Sequence, residues 1–406
     1  MNLRQLLCML FFTFIYAQDE KPYLILISFD GFRYDYADKT ETSNFDYIAE
    51  NGIKAESLIP VFPSKTFTNH YSIVTGLYSA HHGIISNNFY DRRLNEFYIA
   101  KDRTAATDPK WYNGVPIWEL LERNEIKTAS FFWIGSEAKI NGMQPSYFYP
   151  YDHYYPGKER INQVIDWLKM EPEKRPHFIT LYFAILDDAG HIYGPDANET
   201  IDAIKQADSY IGYLRKRINE LPIADQVNVM IVSDHGMTQT LPEKTIKLDE
   251  QIKFRSAELV EDKPFEMIYL NDKRLEDSIY NAVKTIEHMT VYKKDQLPGD
   301  FHFDNPDRTP DLLFLADDEY SLCFKPGKLS KGNHGYSPTV KNMHAIFYAY
   351  GPAFKKGMRI ASFENIHIYP LIARIFNLNY SYSIDGRIEV LQETLNPDLI
   401  QKTNDN

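Results

Sequence analysis

Tyr23-Leu-Ile-Leu-Ile-Ser-Phe29, followed at once by Asp30-Gly31, decides the fold. A run this apolar has no wet face to offer, so it reads as a strand covered on both sides. Val227-Asn-Val-Met-Ile-Val232 repeats the pattern and ends in Ser233-Asp234-His235-Gly236. A third run, His177 to Ile185, leads into Asp187 and His191. Strands of this kind belong to parallel sheets, whose chemistry sits at the strands' C-terminal edge. Three strands therefore deliver acids and imidazoles to one place.

Working outward, helices are predicted over Ser43 to Glu50, Thr66 to Thr75 (closed by Gly76) and Pro116 to Asn124. Further helices are read at Glu159 to Met170, Asn198 to Glu220 and Ile366 to Phe376, with strands at Thr128 to Trp133, Asp311 to Leu315 and His344 to Tyr350. The alternation predicts an α/β fold, a largely parallel central sheet with helices on both faces. Between about 240 and 310 the pattern breaks into shorter, more charged pieces, read as a small α+β insertion.

The 406 residues are 44% hydrophobic and 25% charged, an ordinary globular balance. A net charge of -12 argues against a nucleic-acid-coating surface, which needs clustered Lys and Arg. It does not exclude a small anionic substrate, because bound cations reverse a local potential. Arg4 and the short apolar run Leu6 to Tyr16, before Ala17, read as a signal peptide over 1–17. The catalytic domain is then expected over 18–396 and a polar tail over 397–406, with no stable membrane span once the signal is removed. Cys8 lies in the leader and leaves Cys323 alone, so no disulfide is expected. An exported protein, periplasmic or secreted, fits this, and a bacterial periplasm or outer surface better than a disulfide-rich animal ectodomain.

Asp30, Asp187, His191, Asp234, His235 and His334 form a ligand set of carboxylates and imidazoles without cysteine, which suits catalytic rather than structural zinc. Singly, each has an ordinary reading. Asp30 could cap a helix, Asp187 and His191 could share a local hydrogen bond, and His334 in Gly332-Asn-His-Gly335 could be merely exposed. Thr66 opens a helix and is either its N-cap or a nucleophile. His344, His70, His81 and His82 are read as structural or surface groups.

Pro63 to Tyr78 reads P-S-K-T-F-x-N-H-Y-S-I-V-T-G-L-Y, and H-G-I-I follows from His82. W-I-G-S-E-A at Trp133, D-x-x-G-H-x-x-G-P at Asp187, S-D-H-G-M at Ser233, G-N-H-G-Y at Gly332 and A-x-G-P-x-F around Gly351 come in order. As a set these resemble the ectonucleotide pyrophosphatase/phosphodiesterase family, within the alkaline phosphatase superfamily. The likeness runs from about Lys21 to Leu391, without the family's animal-specific accessory domains.

The resemblance implies an alkaline phosphatase-like fold and two zinc ions, one held by Asp30, Thr66, Asp234 and His235, the other by Asp187, His191 and His334. It implies that Thr66 attacks phosphorus, that Asn87 donates to a phosphoryl oxygen and that Phe67 stacks on a nucleobase. Tyr151 would be the opposite wall, or plain core. Lys65 would touch a phosphate or be solvated. The implied reaction is hydrolysis of nucleotide phosphodiester or pyrophosphate bonds through a phosphothreonyl intermediate, releasing nucleoside 5′-monophosphates. The rivals are a lipid or choline phosphodiesterase, an alkaline-phosphatase-like monoesterase, and a zinc-dependent nucleotide-binding protein without turnover. Leu186, Thr68 and Ser337-Pro338 depart from the family pattern, which bears on loop geometry and substrate preference.

Overall fold

The computed structural model describes residues 21–248, 257–324, 327 and 329–397. The expected signal over 1–17 and all but the first residue of the expected tail lie outside them. Every residue of Tyr23–Phe29 is buried. The strand lies between Phe178–Phe183 and Val227–Val232, parallel to both. Thr128–Phe131 and Tyr147–Phe148 extend the sheet in parallel on one side. On the other, Phe347–Tyr350 is antiparallel to both of its neighbours, after which Ile53–Ala55 and Met358–Ile360 complete eight strands.

Side chains alternate across a strand, so Tyr23–Phe29 feeds two cores. Leu24 and Leu26 pack with the helices Thr66–Thr75, Ile117–Arg123 and Ile368–Ile375. Ile25, Ile27 and Phe29 pack with Ser43–Asn51, Gly157–Leu168 and Asn198–Asn219. Burial of each such aliphatic side chain contributes about 1.5–3 kcal/mol. Two helix-covered faces hold the sheet rigid and leave its C-terminal edge free for loops.

A second sheet has four antiparallel strands, in the order Ala257–Glu261, Phe265–Leu270, Leu312–Ala316, Met289–Lys293. Leu312–Ala316, read from the sequence as a return to sheet at 311–315, belongs here and not to the central sheet. One face of this small sheet has its own core, with Ile268, Leu270 and Phe314. The other joins the main core through Phe265, whose ring is 6.2 Å from that of Phe62.

Element ends shift for local reasons. Pro156, with φ -60°, starts its helix at Gly157, two residues before the expected Glu159. The strand expected to reach Ile185 ends at Phe183, because Asp187 and Asp188 favour the first turn of the helix Ile185–Tyr193. The strand expected from His344 begins at Phe347. His344 is held outside it, with Nδ1 2.8 Å from Ser57 Oγ and Nε2 3.0 Å from the Pro338 carbonyl.

Candidate metal centre

Asp30 is the first residue after Tyr23–Phe29 and is buried. Gly31 follows with φ +71°, and a Cβ there would lie 2.9 Å from Asp187 Cα. Only glycine lets this turn sit so close to the helix Ile185–Tyr193. Asp187 N donates to Asp30 O at 3.0 Å, which locks the two segments together. On that helix Asp187 and His191 stand four apart on one face, with Asp187 Oδ1 3.3 Å from His191 Nε2. His334 Nε2 is 3.6 Å from the same oxygen. Asp234 and His235 leave the end of Val227–Val232, and Asp234 Oδ2 is 3.0 Å from His235 Nε2. His235 Nε2 is also 3.4 Å from Asp30 Oδ1. All six residues singled out as ligands therefore meet at one edge of one sheet.

Among the described residues, potential ligand atoms lie within 4.8 Å of one another in each of three groups: Asp187, His191 and His334; Asp30, Asp187 and His235; Asp30, His70 and Asp234. Asp30 Oδ1, Asp187 Oδ1 and Asp234 Oδ2 are buried with no hydrogen-bond partner among the described residues. Buried carboxylate oxygens left this way cost several kcal/mol unless a cation meets them. Burial, then the Asp234 and Asp187 carboxylates, push the Asp30 pKa well above the usual carboxylate range. Burial would also raise Asp234, but the His235 and His70 imidazoles outweigh it and hold Asp234 well below.

The imidazoles are oriented by the main chain. His191 Nδ1–H donates to Gly332 O, His235 Nδ1–H to Gly236 O and His334 Nδ1–H to Ser64 O, each at 2.8 Å. With Nδ1 so engaged, Nε2 is the nitrogen that each ring turns toward the acids. Burial first, and the His235 imidazole second, push the His334 pKa well below the usual imidazole value. Hard oxygens, borderline nitrogens and three unmatched carboxylate oxygens fit divalent cations.

Thr66 opens the helix Thr66–Thr75, but Lys65 is the capping residue and no side chain caps that end. The Thr66 hydroxyl is instead 3.2 Å from His235 Nε2. Asn87 Oδ1 accepts the Phe67 N–H at 2.9 Å, which fixes the amide beside the residue after Thr66 without using its nitrogen in that bond. A cavity of 760 Å³ opens over the cluster, and Lys65, Thr66, Phe67, Asn87, Trp133 and Tyr151 are among its lining. Tyr151 is 37% exposed, so it is not plain core. Its hydroxyl is 3.0 Å from His153 Nδ1. Lys65 is buried with its ammonium 2.6 Å from Asp262 Oδ1, so it is paired rather than solvated.

One contributor lies beyond sequence reasoning, and another, His70, is read from the sequence only as a structural or surface group. Tyr182 donates to Asp30 Oδ2 at 2.5 Å. His70 has both nitrogens committed, Nε2 2.7 Å from Ser28 Oγ and Nδ1 2.9 Å from Thr66 O. It therefore supports the Thr66 backbone rather than offering a free lone pair. The i+4 spacing from Thr66 on one helix was the available signal. His81 is exposed beside Asp385 at 2.7 Å, and His82 is buried away from the acids. Among the described residues no helix is long and apolar enough to cross a membrane.

Residues 24–337 match the model of the type I phosphodiesterase / nucleotide pyrophosphatase family. Ectonucleotide pyrophosphatase/phosphodiesterase family member 1 of Homo sapiens is 35% identical over 380 residues, covering 88% of this chain and 40% of that protein. A bis(5'-adenosyl)-triphosphatase of Homo sapiens is 35% identical over 362 residues, covering 88% of this chain and 78% of that protein. Murine ectonucleotide pyrophosphatase / phosphodiesterase 5 superposes with a TM-score of 0.88 at 31% identity, over 93% of this chain and 100% of that one. The same neighbour is also solved as an inactive threonine-to-alanine variant in complex with AMP. By the family model, by sequence and by fold, the chain belongs to the type I phosphodiesterase / nucleotide pyrophosphatase family.

Proposed function

We propose that the protein is a zinc-dependent hydrolase of nucleotide phosphodiester and pyrophosphate bonds that works through a phosphothreonyl intermediate and releases nucleoside 5′-monophosphates. One observation carries the reading. The Thr66 hydroxyl is free of capping duty and lies 3.2 Å from His235 Nε2, beside three unmatched carboxylate oxygens. Asp30, Thr66, Asp234 and His235 would hold one zinc, and Asp187, His191 and His334 the other. The ions would supply Lewis-acid charge that lowers the pKa of the threonine hydroxyl and offsets charge on phosphoryl oxygens.

The chain's own groups do the rest. Thr66 Oγ1 forms a bond to phosphorus as the bond to the leaving group breaks on the opposite side. Asn87 Nδ2 donates to a phosphoryl oxygen, and the N-terminus of Thr66–Thr75 adds its positive dipole end. Phe67 and Tyr151, both on the cavity wall, offer aromatic faces for a nucleobase. Water then attacks the phosphothreonine from the vacated side and frees Thr66. The small nucleotide is the partner for which this cavity has room. Residues 1–17, read as a signal, would place the activity outside the cytosol.

A relative named for bis(5'-adenosyl)-triphosphate cleavage, and a neighbour inactivated by a threonine-to-alanine change and bound to AMP, support nucleotide chemistry. Thr66→Ala is expected to lower turnover of a nitrophenyl nucleotide diester at least about a thousandfold, while Asp30, Asp234 and His235 still hold zinc at lower affinity and the fold is retained. Retained turnover in a folded, zinc-loaded variant removes Thr66 from the role. Wild-type protein that holds two zincs and AMP but cleaves no diester is a binding protein instead.

A further inference from the structure

Lys65 is a cation one residue from the proposed nucleophile, and the fold has already spent it on Asp262. Lys65 is 3% exposed and Asp262 Oδ1 lies 2.6 Å from its Nζ. Asp262 Oδ2 accepts from Ser86 Oγ at 3.1 Å, so the carboxylate is itself fixed. The lysine stem is confined as well. A Cβ on Gly335 would meet Lys65 Cε at 2.4 Å, and the ammonium sits 5.6 Å over the Phe265 ring. Asp262 comes from the turn between Ala257–Glu261 and Phe265–Leu270 of the small sheet, and both Lys65 and Asp262 line the cavity. Arg103, also on the cavity lining, is paired with Glu137.

We propose that Asp262 is a specificity-determining residue: by pairing with Lys65 it denies the site a cation for the second charge of a terminal phosphate, and so favours diesters over monoesters. A bound diester phosphoryl group carries one negative charge, a monoester close to two at neutral pH. An unpaired ammonium beside Thr66 would reward the dianion, since hydrogen bonds between charged partners are the strong ones. This rests on the hydrolase reading above, and it gives the small sheet a part in substrate choice. The simpler account, in which the pair only braces the loop before Thr66, makes a different forecast: loss of Asp262 then harms both ester classes alike.

The test uses the full zinc-loaded chain with Asp262→Asn, Lys65→Met/Asp262→Asn and Glu261→Gln. The last removes a carboxylate from the same wall without touching Lys65. kcat/KM is measured for nitrophenyl phosphate and for a nitrophenyl nucleotide diester, and the Kd of inorganic phosphate by calorimetry. In Asp262→Asn the monoester-to-diester ratio is expected to rise about tenfold and the phosphate Kd to fall about tenfold. Both return to the wild-type values in the double variant and stay there in Glu261→Gln. An unchanged ratio and Kd in Asp262→Asn, a gain that survives in the double variant, or an equal gain in Glu261→Gln overturns the proposal. If wild-type protein cleaves neither ester, the hydrolase reading fails and phosphate binding alone decides the role of Asp262. Asp262→Ser carries the same expectation should Asp262→Asn not fold.

Discussion

Tyr182 donates its hydroxyl to Asp30 Oδ2 at 2.5 Å, from one parallel strand to the end of the next. The bond occupies one carboxylate oxygen and leaves Oδ1 facing the cluster. Tyr182→Phe keeps the ring in place against His70, 5.3 Å away, and removes only the hydroxyl. Residues that orient a ligand typically contribute 10–100-fold to metal affinity. A fall of about that size in zinc affinity, with the circular dichroism spectrum unchanged, is expected when the variant is titrated against a competing chelator.

Asn87 and Asn88 are neighbours with separate fates. Asn87 Oδ1 is taken by the Phe67 N–H, whereas Asn88 opens the strand Asn88–Asp91 opposite Ile99. Asn87→Ala removes a preorganised donor and is expected to lower kcat/KM on a nucleotide diester by about 10²–10³. Asn88→Ala should change it little. Steady-state kinetics on the two variants side by side separate the roles.

His82 sets part of the acid limit of the fold. It is fully buried, with Nε2 2.9 Å from Ser72 Oγ and Nδ1 accepting the Ile84 N–H at 3.1 Å. Burial pushes its pKa from 6.5 down to about 3. The unfolded chain therefore binds this proton first. Stability from this group is complete above about pH 6.5 and declines by about 1.4 kcal/mol per pH unit towards pH 3. Urea unfolding midpoints of chelator-treated protein between pH 7 and 4 should fall less steeply in His82→Gln than in the parent.

What could be read from the sequence was whatever a local pattern encodes. The strands Tyr23–Phe29 and Val227–Val232 are continuous apolar runs, and the helix Thr66–Thr75 is closed by Gly76 in the left-handed region. Their ends needed no tertiary information. The six acids and imidazoles were legible as a set because each follows a strand or opens a loop where a core would place aliphatics. The membership of Leu312–Ala316 was not legible, since pairing with Phe265–Leu270 and Met289–Lys293 is decided across a long insertion. Nor was the Lys65–Asp262 pair, whose partners are separated by most of the central sheet in sequence. Tyr182 was hidden for another reason: inside a buried strand an aromatic residue looks like packing until its hydroxyl is seen to reach Asp30.

The three carbonyls that hold His191, His235 and His334 belong to Gly332, Gly236 and Ser64. Main-chain oxygens persist through side-chain replacement, yet two of these anchors tolerate none: a Cβ on Gly332 would lie 2.5 Å from Gly190 O, and one on Gly236 2.1 Å from Asn342 O. Transplanting the ligand residues alone onto another scaffold would accordingly carry the donors without the scaffolding that aims them. The loop paths, together with the glycines that let two of them pack so closely, are the heritable part of this ring orientation.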